Sequence, residues 1–539
     1  METSRVFSPL VMLVLMVVLG AGLRFYRLGS LPLILNRDEA ALAYNAVLLN
    51  QTGLDEWQRN WPLALESFGD FKLVGYPAVL AGVFGILEPS DWTVRLPSAL
   101  AGISLIGLTY LLGRRLGLYW PYALLWSLTV AISPVFMFYS RIAFEANLAL
   151  ALMVASLVVF LWPSASTNKR HLLDAAAAGL WLMAMLTYNA PLLLAPFLML
   201  SLVLVRGARQ FKAWLVPVVL LTVLAGGVYG LLRPVTAQKQ AVTLLGDEAV
   251  QLEWAEYRSG LAKPLRPWLG QKLVFVLPRL LNNTLGYVSP GFLVTNGGQH
   301  PWHSLPGRGH LYWPSYLLGL GGAAVAGWRL VSWRWTDQSL GHKPSRAQLL
   351  WIVMTPAAIL PGIITVDAPH ATRALLFFVL LAGWSAYALQ ELAGWLKQWR
   401  PQLPSAQLDQ LLVGGAVLVV LISSVEYLQS YFTRFETSHP PSLQIGFDRH
   451  LRQVEQRYPD GPIAVVDSQG FQYILTAWYL RLPPDEFFAT VVKQQPDQIG
   501  LRYGERLDRY HFIAHPADRS EDERVLVEWT GQEWRSRVP

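Results

Sequence analysis

Eleven apolar runs dominate the first 430 residues and constrain this chain more than any other feature. Each is close to the roughly 20 residues that a helix needs to cross the hydrocarbon of a bilayer. They lie at about 8–26, 92–113, 120–139, 143–162, 172–188, 191–205, 213–232, 311–330, 348–366, 374–393 and 408–430. Such a chain is expected to be a polytopic α-helical membrane protein. The charge content agrees, at 15% where soluble domains carry roughly 25%. The 22 Trp and 21 Tyr suit the wet–dry boundary at the two membrane faces.

Lys and Arg in short loops orient the spans, because such residues stay on the cytoplasmic side. Arg114-Arg115, Lys169-Arg170, Arg206 with Arg209 and Lys212, Arg334 with Lys343 and Arg346, and Lys397 with Arg400 all fall inside in one consistent alternation. The alternation requires the short run at 73–87, interrupted by Pro77, to lie along the outer interface instead of crossing. Residues 27–91 are then a first extracytoplasmic loop with juxtamembrane helices. Residues 233–310 form a long loop on the same side, carrying His300, His303 and His310. Residues 5–22 resemble a signal peptide in pattern, and are read as an uncleaved first span.

Composition changes near residue 431. The last 109 residues hold 29 charged ones, against 50 in the first 430. Residues 431–539 are therefore expected to form a small soluble α/β domain, extracytoplasmic after an odd number of spans. Its strands are predicted at Ile463–Val466, His511–Ala514 and Val525–Glu528, with a helix at Phe471–Leu480. The chain has no cysteine, which excludes disulfides, thiolate metal sites and a Cys nucleophile. The net charge of +7 follows the inside loops. No basic patch interleaved with aromatics points to nucleic acid.

Charged residues outside the cytoplasmic loops and the tail are few. They gather as Arg37-Asp38-Glu39, Asp70 with Lys72, Arg141 with Glu145, and Asp367-His370-Arg373. Carboxylates beside a bilayer are costly to keep without partners or a task. If the spans bundle, all four groups share one membrane face and can converge on one cavity. Each also has a plain structural reading. Arg141 and Glu145 stand four apart and could pair with each other. Lys72 could snorkel to headgroups, as could Arg95 at the start of its span. His370 reads equally as a polar loop residue, and the three histidines of the long loop lack zinc-ligand spacing.

Five stretches carry a resemblance. They are NRDEA at 36–40, SFGDFKLVGYP at 67–77, RLPSALAGISLIGLTYLLGRRLG at 95–117, SPVFMFYSRIAFEANLAL at 133–150 and DAPHATRALLFFV at 367–379. In this order they resemble GT-C glycosyltransferases, the clan of protein O-mannosyltransferases and lipid A aminoarabinose transferases. Within it the chain looks most like the bacterial branch named after dolichyl-phosphate-mannose–protein mannosyltransferases. The resemblance covers roughly the first 400 residues. It implies a catalytic acidic residue at Asp38 and donor-phosphate contacts from Lys72 and Arg373; by their place in the same charged clusters, Glu39 is expected to share the catalytic role and Arg141 to contact the donor phosphate. Asp70, Glu145 and His370 would contact substrate. Glu145 stands one residue earlier than the aspartate of the family pattern. The sugar-binding-like module of the mannosyltransferases is absent, which weakens the case for a protein acceptor.

The chemistry suits these residue types. A polyprenyl-phosphate leaving group is a weak base and needs cations, not a general acid, as the glycosidic bond breaks. The acceptor hydroxyl needs a base within hydrogen-bond reach. Direct displacement would invert the anomeric centre. Asp38, Glu39 and Glu145 could ligate magnesium through oxygen, but the resemblance is to metal-independent transferases, so no cofactor is expected. The expected partners are a polyprenyl-phosphate-sugar donor, a lipid, glycan or protein acceptor, and membrane lipids, in the inner or plasma membrane with the site on its outer side. A transporter or flippase is the alternative. Transporters tend to show repeated halves and ionisable groups near the membrane centre; here no repeat is evident and the charges sit at one face.

Overall fold

The structure, a computed structural model, describes residues 8–207, 209–298, 303–335, 345–402, 404–435, 444–496 and 501–538. His300 and Lys343 lie outside them. Helix α1 (Pro9–Phe25) leads into two helices of the first loop, α2 (Arg37–Thr52) and α3 (Gly75–Phe84). The bundle continues with α4 (Asp91–Arg115), α5 (Trp120–Ile132), α6 (Pro134–Tyr139), α7 (Glu145–Phe160), α8 (Thr167–Thr187), α9 (Ala190–Arg206) and α10 (Phe211–Leu231). The long loop is largely helical, with α11 (Arg233–Gln240), α12 (Glu248–Gly260), α13 (Arg266–Leu269) and α14 (Lys272–Val288). Helices α15 (Trp313–Trp335), α16 (Arg346–Ala357), α17 (Leu360–Ile363), α18 (Leu375–Trp399) and α19 (Ser405–Thr433) complete the bundle.

Every apolar run of the sequence is thus helical. Among the described residues, five segments are long and apolar enough to cross a membrane: Asp91–Arg115, Ala213–Leu231, Arg346–Ile363, Ala371–Trp399 and Ser405–Thr433. Helices α1, α5, α7 and α9 are apolar but shorter. The expected span at 120–139 is broken in two. Ser133 adopts extended backbone (ψ 148°) immediately before Pro134, which opens α6, as a residue preceding proline tends to do. Helix α3 has ten residues, about 15 Å at the helical rise, half the thickness of a hydrocarbon core.

The centre of the bundle is aromatic. Trp126 stacks on Trp351 with ring centroids 5.3 Å apart, and Trp351 on Trp384 at 4.0 Å. All three indole N–H groups find acceptors: Trp126 and Trp351 donate to the Val379 and Leu380 carbonyls, and Trp384 to Thr355 Oγ1. Gly383 leaves room for this stack, because a Cβ there would sit 2.6 Å from both Trp126 and Trp351. Gly319 and Gly322 likewise let α15 approach the backbone of α18. Small residues serve such approaches where lipid removes the hydrophobic drive between helices.

The first loop contains a β-hairpin that the apolar pattern does not reveal. Strands β1 (Ala64–Ser67) and β2 (Asp70–Leu73) pair antiparallel with Ser67 opposite Asp70. Phe68 (φ 52°) and Gly69 (φ 77°) form the two-residue turn, and two successive positive φ values suit the twist of a tight hairpin. Strand alternation then puts Asp70 and Lys72 on one face.

The C-terminal region is α/β. Helix α20 (Phe447–Arg457) precedes β3 (Ile463–Val466), and α21 (Gln472–Tyr479) and α22 (Pro484–Thr490) follow it. Then come β4 (Val492–Lys493), β5 (Gly504–Leu507), β6 (Tyr510–Ile513), β7 (Val525–Trp529) and β8 (Trp534–Arg537). The sheet order is β4-β5-β6-β3-β7-β8, with β3 parallel to both neighbours. This region shares a hydrophobic core with α2 and α3. Tyr44 donates to the Leu482 carbonyl (3.0 Å), Tyr473 to Glu56 (2.6 Å), and Lys493 pairs with Glu56 (2.8 Å).

Candidate active site

Asn36 starts α2 by accepting from the Asp38 and Glu39 amides, and Glu39 completes the capping box by accepting from the Asn36 amide. Asp38 therefore sits in the first helical turn, where the positive end of the helix dipole favours a carboxylate. The hairpin delivers Lys72 to it, with Nζ 2.8 Å from Asp38 Oδ1. The ammonium also lies 3.4 Å from Asp70 Oδ2. From the other side, Lys239 of α11 pairs with Asp70, and Gln238 donates to the Gly69 carbonyl.

These charges set each other. Burial pushes the Asp38 carboxyl up, but Lys72 and Arg37 outweigh it and hold Asp38 below the usual range. Burial likewise opposes ionisation of Asp70, yet Lys72, Lys239 and the Phe71 amide bring it down to about 2. Lys72 is buried, which would lower it, but Asp38 and Asp70 raise it instead, so it stays charged.

Glu145 opens α7 close enough to Lys72, Asp38 and Asp70 for their charges to interact, and has no ion-pair partner among the described residues. It does not pair with Arg141. Tyr188, at the C-terminal end of α8, interacts with Glu145 on one side and with Arg373 and Asp367 on the other. Arg373 pairs with Asp367 and donates to Thr365 Oγ1 (2.6 Å). His370 lies beside it, its ring 4.5 Å from that of His303. His303 Nδ1 is in turn 3.0 Å from the Tyr139 hydroxyl. Asp38, Asp70 and Lys72 thus form one cluster in direct contact, Glu145 lies within reach of their charges, and Tyr188 lies within reach of both Glu145 and Arg373, beside His370; together they outline a polar tract. It lies on the side of the bundle that carries the C-terminal domain.

Three expected roles are corrected by the geometry. Glu39 is 1% exposed. Its carboxylate accepts from Asn36, from Arg95 Nε (3.0 Å) and from the Ala143 amide (2.8 Å), so it has no free lone pair facing a substrate. Arg95, expected at headgroups, is fully buried and also donates to the Leu28, Pro32 and Ile34 carbonyls. Arg141, expected at the donor phosphate, is fully buried as well. It donates to the Leu23, Arg24 and Leu31 carbonyls and to the Tyr431 hydroxyl. The irregular segment after α1 has carbonyls that no helix satisfies, and buried carbonyls need donors. Arg95 and Arg141 supply them.

His310 belongs to the apolar core, packed against Phe292 and Phe378. Among the described residues no group of three His, Asp or Glu is arranged to hold a metal ion. The cation of this cluster that the sequence reading missed is Lys239, which pairs with Asp70. Its signal was slight: one charge in the stretch Pro234 to Gln240, seven residues past an apolar run.

No family model matches the chain, and no curated protein matches it. Solved structures do. The oligosaccharyltransferase AglB from Archaeoglobus fulgidus, in complex with an inhibitory peptide and a dolichol-phosphate, superposes with a TM-score of 0.53 at 14% identity, over 87% of this chain and 63% of that one. The apo form of the Archaeoglobus fulgidus oligosaccharyltransferase gives 0.54 at 14% identity, over 88% and 64%. This chain thus spans a little under two thirds of the oligosaccharyltransferase. ArnT from Cupriavidus metallidurans bound to undecaprenyl phosphate gives 0.50 at 15% identity, over 87% and 84%. The likeness is one of fold, and it runs through most of the chain, whose architecture is that of AglB and ArnT.

Proposed function

We propose that the protein transfers a sugar from a polyprenyl-phosphate donor to an acceptor hydroxyl on the extracytoplasmic side of the inner or plasma membrane, with inversion. The observation that carries this reading is the Asp38–Lys72 pair, a carboxylate and an ammonium 2.8 Å apart, on a tract that continues to Arg373. The neighbours' printed ligands, a dolichol-phosphate and undecaprenyl phosphate, support a lipid-phosphate donor.

The pair suggests an order of events. The donor phosphate binds Lys72 and takes over the ion pair that Asp38 held. Arg373 meets the same phosphate from across the tract, leaving Asp367. Asp38, released from Lys72, becomes the stronger base and accepts the acceptor hydroxyl's proton as oxygen attacks the anomeric carbon. The carbon–oxygen bond to phosphate breaks, and its electron pair stays on the phosphate, steadied by Lys72 and Arg373. Lys239 holds Asp70 and so keeps Lys72 from being drawn wholly to that side. Lys72 and Arg373 face the leaving phosphate and Lys239 offsets Asp70; these three cations are the ones on which a reaction without a divalent metal would rest.

Incubation of the purified protein with candidate polyprenyl-phosphate sugars tests the reading, with donor consumption as the signal. Asp38→Asn should abolish consumption of the accepted donor while the variant, though less stable, still elutes as folded protein on size-exclusion chromatography. Undiminished turnover by that variant would overturn the role given to Asp38.

A further inference from the structure

A second cleft, of about 850 Å³, opens between the C-terminal domain and the membrane part of the chain. One wall is the junction where α1 ends and α4 begins, with Leu33, Asp91 and Trp92. The opposite wall carries Arg449 and Arg452 of α20 and Arg481 after α21. The floor includes Tyr44 of α2. Tyr44 is six residues from Asp38, about 9 Å along the helix and on another of its faces, so the cleft is separate from the tract that holds Asp38 and Lys72.

The three arginines set this cleft apart. None has an ion pair or side-chain hydrogen bond among the described residues, whereas Arg95 and Arg141 are saturated. Of the two carboxylates in the lining, Asp91 is occupied by Trp478 Nε1 (2.9 Å) and the Tyr479 hydroxyl (3.3 Å). Asp448 stands in the first turn of α20, where the helix dipole already favours its charge. Positive charge is therefore left over.

Arg481 provides an independent sign. Helix α21 ends in a paired cap: the Leu482 amide donates to the Ala477 carbonyl (3.0 Å), and the Arg481 amide to the Trp478 carbonyl (3.1 Å). The residue at this place in the motif takes a left-handed conformation and is usually glycine. Here it is an arginine at φ 54°. This chain carries a side chain where the backbone prefers none, and that side chain lines the cleft.

We infer that this cleft binds a phosphate-bearing anionic group at the membrane surface, held by Arg449, Arg452 and Arg481. Guanidinium groups match phosphate oxygens in bidentate fashion. Leu33, in the irregular segment after α1, and Trp92, in the first turn of α4, suit the glycerol or acyl portion of a lipid. Phosphate could reach the cleft as a lipid headgroup or as a soluble phosphate ester, and the two are separable.

Calorimetric titration of the full chain in phosphatidylcholine nanodiscs tests the inference. The probes are dihexanoyl phosphatidylglycerol, dihexanoyl phosphatidylcholine and glycerol 3-phosphate. The phosphatidylglycerol probe should bind at least tenfold more tightly than the choline lipid. Equal binding by glycerol 3-phosphate would identify a soluble ester as the source, and weaker binding a lipid; either supports the cleft. Arg481→Gly and the pair Arg449→Gln with Arg452→Gln should each weaken binding at least tenfold. Arg481→Gly should do so without lowering the melting temperature, because glycine relieves the backbone. Binding should persist in Lys72→Met, which keeps this test independent of the transferase reading. Arginine variants that bind like the parent chain, or loss of all binding in Lys72→Met, would overturn the inference.

Discussion

Replacing Lys72 with methionine removes the charge and keeps most of the side-chain volume. The Lys72 side chain is 8% exposed, and its ammonium lies 2.8 Å from Asp38. At an effective dielectric of about 20, two unit charges at that distance attract by about 6 kcal/mol. Desolvation cancels much of this, and truncating one member of a buried pair costs about 3–5 kcal/mol in practice. If the donor phosphate takes the place of Asp38 beside Lys72, transition-state stabilisation falls by a similar amount. At 1.36 kcal/mol per tenfold, kcat/KM should drop by roughly two to four powers of ten. The pH profile should move as well. In the parent chain Lys72 and Arg37 hold Asp38 below the usual carboxylate range against the upward push of burial. Without Lys72 the burial effect is less opposed, so the folded-state pKa rises. The basic form is lost as pH falls through that pKa, so the acidic limb of kcat/KM must shift to higher pH. Stability linked to the ionised Asp38 is present above its unfolded pKa and lost as pH falls through its depressed folded value, and the variant should lose that contribution. The assay is initial-rate transfer from a radiolabelled polyprenyl-phosphate sugar between pH 4 and 8, with Lys72→Arg as the partial rescue. A methionine variant within threefold of the parent, or an acidic limb that stays in place, would refute the reasoning.

Three further outcomes are expected. Glu39→Gln should lower thermal stability sharply, by about 3–5 kcal/mol, because it leaves the buried Arg95 without its counter-charge; a variant that melts like the parent in differential scanning fluorimetry would contradict the structural role. Gly383→Val should fail to yield folded protein on size-exclusion chromatography, since its Cβ alone meets two indole rings at 2.6 Å and neither ring can retreat from the stack. Lys239→Ala should reduce kcat/KM by about tenfold while chelation with EDTA leaves the parent rate unchanged; a large EDTA effect would show that the three cations do not suffice.

What could be read beforehand divides along physical lines. Apolar runs give the bundle because a bilayer permits few alternatives to helix. The strands at Ile463–Val466 and Val525–Trp529 were legible for a similar reason, as short β-branched runs bounded by turns. The hairpin was not, because Phe68-Gly69 is a weak turn signal and its strands are four residues each. Arg95 and Arg141 were misread for another cause. Most of their partners are main-chain carbonyls of residues 23–34, and a carbonyl leaves no mark in the order of side chains. Asp38 and Glu39 look alike in the sequence. Only the position of each around α2 decides that one faces Lys72 and the other is locked to Arg95.

Helix α2 belongs to two bodies at once. Its first turn presents Asp38 to Lys72, and its flank is the surface on which Tyr44 and its neighbours seat the C-terminal sheet and helices. A rotation of that outer body would carry the carboxylate with it by leverage. The C-terminal fold therefore cannot be exchanged as an interchangeable cassette, because the placement of Asp38 is anchored in the joint itself.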